Sequence, residues 1–179
     1  MYEVIDYDFG PAARNRLADT TRRDHEGAVA ALETFYYALN GADLEALTEV
    51  WSDDELAQLD NPVGGIVRSG AAIAGLYRRI FASGMDLSVT FTDAATYLTA
   101  DTAVFAGRER CEYTDAEGAR VPVEFRTSRF FSWAPGDGRW RQIHHHGSVD
   151  DPGALRAYQA AVRGRAHEGT RPGAVPEMR

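Results

Sequence analysis

Residues 127–148 read TSRFFSWAPGDGRWRQIHHHGS. Two extended runs flank Pro135-Gly136-Asp137-Gly138, a strong turn signal, so the stretch predicts an antiparallel hairpin. Upstream, Val121 to Trp133 reads as one long strand; downstream, Trp140 to Ser148 reads as the next. Successive side chains in a strand point to opposite faces. Val121, Val123, Phe125, Thr127, Arg129, Phe131 and Trp133 then share the core face, and Arg129 stands in its middle. A guanidinium keeps its proton at ordinary pH, so a buried one needs an anion or several acceptors. Two readings stay open for Arg129. It forms a structural ion pair, with Glu109 or Glu112 as partner, or it faces a pocket and meets a carboxylate or enolate oxygen.

In the last strand alternation puts Trp140, Gln142, His144, His146 and Ser148 on one face, and Arg141, Ile143, His145 and Gly147 on the other. His144 and His146 would lie side by side. That geometry permits a metal pair, with Asp60 or Glu112 as a further ligand, but a metal site needs a third and usually a fourth donor. The preferred reading is proton transfer, because histidine titrates closest to neutrality. No metal and no cofactor is expected.

Working outward, Thr102 to Tyr113 continues the β character, with Arg108, Arg110 and Glu112 on one face and Phe105, Gly107, Glu109, Cys111 and Tyr113 on the other. A bulge at Gly107 could change that phase. Leu87, Val89 and Phe91 alternate with Ser88, Thr90 and Thr92, and Tyr97-Leu98 continues the extended pattern. Before the strands come helices. Asp24 caps a helix that runs to Leu39, with Val29, Leu32, Phe35, Tyr36 and Leu39 as its apolar stripe. Asp43 caps a second helix, Leu44 to Val50. Leu56 to Leu59 is a short strand, DNPVGG a turn, and Ala71 to Phe81 a third helix. Pro152 opens a last helix, Ala154 to about Arg163. Helices followed by a run of antiparallel strands predict an α+β fold, a strongly curved antiparallel sheet around a pocket. The expected organisation is an N-terminal arm (1–23), a pocket domain (24–150), and a C-terminal helix with a mobile tail (151–179).

The chain has 179 residues with a formal net charge of -8 and no lysine. An acidic balance argues against nucleic acid, which needs clustered cations. One cysteine, Cys111, rules out an internal disulfide; in a strand it reads as a small core residue. No stretch reaches the about 20 apolar residues of a membrane span, and the acidic start lacks the basic opening of a secretory signal. The expected location is the cytoplasm. There is no phosphate-binding Gly-rich loop, no GxSxG and no HExxH.

Three stretches carry a family resemblance: ALETFYYALNGADLEALTEVWSDDE (31–55), GGIVRSGAAIAGLYRRIF (64–81) and residues 127–148. In this order they resemble the nuclear-transport-factor-two-like superfamily, also called SnoaL-like or ketosteroid-isomerase-like. The resemblance implies a cone-shaped α+β barrel with an internal pocket. It is nearest to the group that includes the association domain of calcium/calmodulin-dependent kinase. There, arginines on neighbouring strands face the pocket, and they resemble Arg108 and Arg129 by position; a third would fall at Gly147, where this sequence departs. Enzymes of the superfamily include isomerases, polyketide cyclases, dehydratases and epoxide hydrolases. Other members bind ligands or dimerise. Tyr36 loosely matches the helix-one tyrosine of the isomerases, and Asp60 stands near their aspartate base.

The expectation that follows is a cofactor-independent enzyme that moves a proton next to a carbonyl of a small metabolite, as an isomerase, cyclase or dehydratase, acting as a homodimer. Asp60 or His146 would be the base, Tyr36 and Arg129 would stabilise negative charge, and His144 would orient or relay. Arg108, Tyr37, Trp51, Phe125, Phe131 and Trp133 would bind the substrate. The alternative is a non-catalytic ligand-binding or dimerisation module.

Overall fold

The computed structural model describes residues 2–5, 8–62, 64–83, 87–114 and 117–168. The chain starts with β1 (Tyr2–Ile5) and a 3-10 turn (Leu17–Thr21), then enters α1 (His25–Asn40). The Asp24 carboxylate accepts the Gly27 amide at 2.9 Å and so satisfies one orphan donor at the start of α1. Twelve of the sixteen α1 residues are buried, more than an amphipathic stripe can supply. Ala28, Ala30, Ala31 and Ala38 explain this: their small side chains let other elements close on α1 from several sides. α2 (Leu44–Val50) follows, capped by Asp43, whose side chain takes the Ala46 amide at 3.0 Å.

Next come β2 (Gln58–Asp60), β3 (Ile66–Arg68) and α3 (Gly70–Ala82), the last capped by Ser69. The four long elements of the sheet are β4 (Thr90–Leu98), β5 (Thr102–Thr114), β6 (Arg120–Ala134) and β7 (Arg139–Val149). α4 (Pro152–Glu168) closes the described chain. It runs past Arg163, where the sequence pattern faded; residues 169–179 of the expected tail lie outside the described residues.

The seven strands form one sheet in the order β1-β4-β5-β6-β7-β2-β3. The sheet is curled and carries the helices within its curve, as expected of an α+β fold. Two details differ from the expectation. The sheet is mixed, because β2 runs parallel to β7, and it stays unclosed, with β1 and β3 as its edges. β1 and β3 are too short for a two-residue period to announce them. β1 pairs with β4, and Phe9 bridges Phe91, so the first residues extend the sheet instead of standing apart.

Two irregularities set the faces. In β4, Thr92 pairs with Arg108 and Ala95 with Ala106, so Asp93 and Ala94 together oppose Gly107. The bulge is thus on β4, with Asp93 at φ 52°, and Gly107 is the residue that accommodates it. In β7, Phe130 pairs with His144 but Phe131 pairs with Gln142, which leaves Ile143 as an extra residue. Beyond Ile143 the alternation reverses. Trp140 and Gln142 point inward, and then His145 and Gly147 do, not His144 and His146. This overturns the face assignment read from the sequence.

A methyl group at position 107 would sit 2.7 Å from the Thr92 carbonyl oxygen and 2.9 Å from that of Asp93. Both are backbone atoms of the paired strand and cannot swing aside. Gly107→Ala is therefore expected to cost about 1–3 kcal/mol, read as a lower urea midpoint with an unchanged slope.

Candidate functional site

A cavity of about 260 Å³ opens between α1, α3 and the inner face of the sheet. Its walls are apolar: Leu39, Leu59, Leu76, Ile80, Val89 and Phe125. Tyr158 and Val162 of α4 stand at its rim. Its polar lining comes chiefly from Glu109, Arg129 and His145, one residue from each of three adjacent strands. All three are at most 5% exposed.

Glu109 Oε1 accepts two hydrogen bonds, from the Tyr36 hydroxyl at 2.7 Å and from Arg129 Nη2 at 2.5 Å. Arg129 Nε donates to the Tyr36 oxygen at 2.8 Å, and Nη1 donates to Gln142 Oε1 at 3.3 Å. The guanidinium also lies 3.7 Å above the centre of the Phe35 ring, within cation–π range. Each ionisable group is fixed by its neighbours. Burial alone would push the Glu109 carboxyl up, but the Arg129 charge, followed by His145 and the hydrogen bonds, brings it below the ordinary value. Burial raises the Tyr36 phenol well above its ordinary value, so it stays protonated and donates. Burial works against the Arg129 charge, and the surrounding acids outweigh it.

His145 is different. Burial, reinforced by the Arg129 charge, lowers it to about 3, so the ring is neutral near pH 7. Its Nε2 lies 2.9 Å from Thr127 Oγ1, and Thr127 Oγ1 lies 3.1 Å from the His146 carbonyl oxygen. A carbonyl only accepts, so both contacts are hydrogen bonds only if Thr127 donates to the carbonyl and Nε2–H donates to Thr127. That tautomer leaves Nδ1 with a bare lone pair, and Nδ1 has no partner among the described residues.

The arrangement is an apolar pocket with an ionised carboxylate, a buried guanidinium and a neutral imidazole along one strip of sheet. The family model described as a SnoaL-like domain matches residues 29–152. The chain belongs to the SnoaL-like domain family. No curated protein matches it significantly. Among solved structures it is similar to a ketosteroid isomerase-like protein from Erwinia carotovora atroseptica, with 21% identity, 70% of this chain and 95% of that one covered, and a TM-score of 0.57. It is also similar to the CaMKII hub of S. rosetta, with 17% identity, 68% and 92% covered, and a TM-score of 0.56. A protein with a cystatin-like fold from Caulobacter vibrioides shares 19% identity over 76% of this chain and 96% of that one, at a TM-score of 0.58. At such identities these likenesses establish the shared fold.

Within this SnoaL-like domain the residues singled out from sequence separate into three groups. Tyr36, Arg129 and Phe125 meet at the cavity: Arg129 and Phe125 line it, and Tyr36 backs the polar strip. Asp60, His144 and His146 are also brought together, but on the other face of the sheet. Asp60 Oδ2 lies 3.5 Å from His144 Nε2 and 3.4 Å from His146 Nδ1, and Gln58 Nε2 donates to Asp60 Oδ1 at 2.8 Å. The bulge at Ile143 turns the two histidines outward, and in β2 it is Leu59, not Asp60, that faces the cavity. Among the described residues no group of three or more His, Cys, Asp or Glu is arranged to hold a metal ion.

The third group stands apart from the cavity lining. Arg108, which the family resemblance placed toward the pocket, lies on the outer face with Glu124 at 2.6 Å and Asp150 at 3.3 Å. Phe131 packs edge-on against Phe105, Trp133 against Trp140, and Trp51 is buried beside Gln142. Tyr37 packs half-buried at the edge of the core. Sequence reasoning weighed Glu109 only as a partner for Arg129 and gave His145 no role. The parity of β5 already put Glu109 on the Phe105 face, so that signal was present. His145 was hidden by a bulge that no residue type marks.

Two expectations follow for stability. Arg129→Met leaves the Glu109 charge buried without its partner and should cost about 3–5 kcal/mol, whereas Glu109→Leu with Arg129→Met should cost less than Arg129→Met alone; denaturant melts of the two variants check this. For His145, the unfolded chain takes up a proton near 6.5 and the folded chain only near 3. Between those values the unfolded state binds more protons, so stability should fall as pH falls through that window. The contribution is up to about 1.4 kcal/mol per pH unit, and His145→Gln should flatten this part of the stability–pH curve.

Proposed function

We propose that the cavity carries out cofactor-independent proton transfer on a small, largely apolar carbonyl compound, with Glu109 as the proton acceptor. One observation carries this reading. Glu109 binds Arg129 through one oxygen only, whereas a structural arginine–carboxylate pair commonly uses both. Oε1 takes both hydrogen bonds, and among the described residues Oε2 has only the 3.9 Å approach of His145 Nε2. A charged oxygen beside an apolar cavity is positioned to meet a ligand.

Arg129 supports the same chemistry. A guanidinium has five N–H bonds, and three atoms of this one, Nε, Nη1 and Nη2, each make one hydrogen bond within the domain. An N–H bond not engaged by these groups or by Tyr77 can donate to a ligand carbonyl oxygen. In the proposed step Oε2 takes a proton from the carbon next to the carbonyl. The C–H electron pair moves into a new C=C bond, and the carbonyl π pair moves onto oxygen, where Arg129 stabilises the enolate. The proton is then returned to another carbon, which is isomerisation, or to a departing hydroxyl, which is dehydration. A low carboxyl pKa keeps Glu109 ionised but weakens it as a base. The negative charge that develops on the ligand oxygen beside Arg129 offsets part of that cation's pull on Glu109 as the proton is transferred. The pocket residues named here replace Asp60 and His146 in the role of base, because those two face away from the cavity.

The second reading is a non-catalytic SnoaL-like module that binds a ligand or assembles as a homodimer. It is favoured by the mutual neutralisation of Glu109 and Arg129, which a folded module needs regardless of catalysis. Hydrogen exchange into a panel of cyclic ketones in D2O, followed by NMR, separates the two. Wild-type protein should exchange the hydrogens next to the carbonyl, and Glu109→Gln should slow this at least hundredfold. Ketone binding with no exchange above the buffer rate would sink the enzymatic reading and leave the binding module.

A further inference from the structure

One polar side chain of the cavity has no part in the chemistry above. Tyr77 comes from α3, is 5% exposed and lines the cavity beside Leu76 and Ile80. Its ring packs against Phe35 and Phe81, with centroids 6.2 and 6.0 Å away. The same Phe35 ring carries the Arg129 guanidinium on its face, and the Tyr77 hydroxyl is hydrogen-bonded to Arg129.

A guanidinium only donates, so that bond occupies a lone pair of the Tyr77 oxygen and leaves its proton unspent. Among the described residues no group accepts this proton. Burial raises the phenol to about 12 against the opposing pull of the Arg129 charge, so the proton stays on oxygen near pH 7. Glu109 Oε2 is the counterpart. It belongs to an ionised carboxylate and accepts no hydrogen bond among the described residues. Two other unpartnered atoms near the strip, His145 Nδ1 and Gln142 Nε2, are sealed within the packing; the Tyr77 hydroxyl and Glu109 Oε2 are not. A ligand in the cavity therefore meets a phenol donor and a carboxylate acceptor, both adjoining Arg129.

A donor and an acceptor beside one another are matched by a ligand that carries the opposite pair on one edge. In an open-chain secondary amide the trans geometry points N–H and C=O to opposite sides. A ring holds the amide cis and brings both to the same edge. A carboxylic acid has such an edge too, but it ionises well below pH 7 and would set its charge against Glu109. The leucines of the wall suit ring methylenes. The space of about 260 Å³ is below the roughly 300–1,000 Å³ of pockets that hold drug-sized ligands, so the part of the ligand held inside is a single ring.

We propose that Tyr77 and Glu109 read the edge of a compact lactam, with the Tyr77 O–H donating to the ring carbonyl and Glu109 Oε2 accepting the adjacent N–H. The ligand class rests on the proton-transfer reading for the free Oε2 only: the lactam N–H stands where that reading places the C–H next to the carbonyl.

Ligand-observed NMR titration of the full-length chain tests this with a set of probes. 2-Piperidone carries both groups on one edge. N-methyl-2-piperidone and cyclohexanone keep only the acceptor, and N-methylacetamide keeps both on opposite sides. 2-Piperidone should bind about tenfold more tightly than each of the others, because each of them leaves a buried group unpaired. Tyr77→Phe removes the hydroxyl alone and should weaken 2-piperidone binding about fivefold. Equal affinity for 2-piperidone and any other probe overturns the lactam edge. So does an unchanged affinity in Tyr77→Phe, or no binding of 2-piperidone. Should Tyr77→Phe fail to fold, the probe series on the wild-type chain decides alone. Selectivity is read here without turnover. Ketone exchange without lactam selectivity would retain proton transfer and reject the lactam edge; selectivity without exchange would retain the edge and reject the catalytic reading.

Discussion

The buried pair of Glu109 and Arg129 constrains everything around it. Two opposite charges in an apolar interior are tolerated only when each is paired and hydrogen-bonded. The fold meets that demand from three directions: Tyr36 on the central helix, Gln142 on the last strand, and the face of the Phe35 ring. Tyr36 must therefore be a tyrosine with its hydroxyl at one depth of α1, and α1 must sit at one height within the curled sheet. The cavity exists beside this network because the network occupies the sheet's centre without filling it. Replacing a buried ion pair by apolar residues of similar volume is often neutral for stability, whereas removing one partner alone is costly.

The bulges determine which residues share that space. Without the extra residue at Ile143, His145 would turn outward and His144 or His146 would face Arg129. A histidine near an arginine charge inside the fold is held neutral, whereas the outward pair lies beside Asp60, a carboxylate. One inserted residue thus decides which of three adjacent histidines is a neutral acceptor in a pocket and which two are surface neighbours of an acid. The bulge opposite Gly107 plays a similar part in β4, where two residues crowd against one and only a missing side chain leaves room.

Much of this fold was legible in the sequence. Asp24, Asp43 and Ser69 announce helix starts because capping is a local interaction between residues three apart. The long strands were legible because alternation runs over many residues, and Arg129 stood out as a charge on an apolar face. What stayed hidden depended on contacts distant in sequence. The parallel pairing of β2 with β7 joins residues more than eighty positions apart. The bulge at Ile143 arises from pairing with Phe130 and Phe131, and an isoleucine carries no mark of being unpaired. The triple histidine invited a reading by alternation, and alternation holds only as long as the ladder is unbroken.

The outer face of the sheet explains why a chain with this many arginines leaves one inside. Arg108 and Arg110 share Glu124, Arg126 pairs with Asp150, and Arg120 pairs with Glu112. These pairs are half-exposed and screened, so each contributes little to stability. Their effect is positional. With a carboxylate within reach of each of these outer arginines, the strands gain nothing by slipping one residue, a slip that would bury those charges and expose Phe105 and Phe131. Register is thereby held by two opposite penalties, charge burial on one face and apolar exposure on the other. Arg129 is the exception that this register permits, because Glu109 is two residues from Gly107 on the same face of the adjacent strand and arrives inside with it. A pocket with a fixed carboxylate is thus a consequence of strand register as much as of any single residue, and its chemistry could be altered by changing the inward positions of β5, β6 and β7 while the outer pairs keep the frame in place.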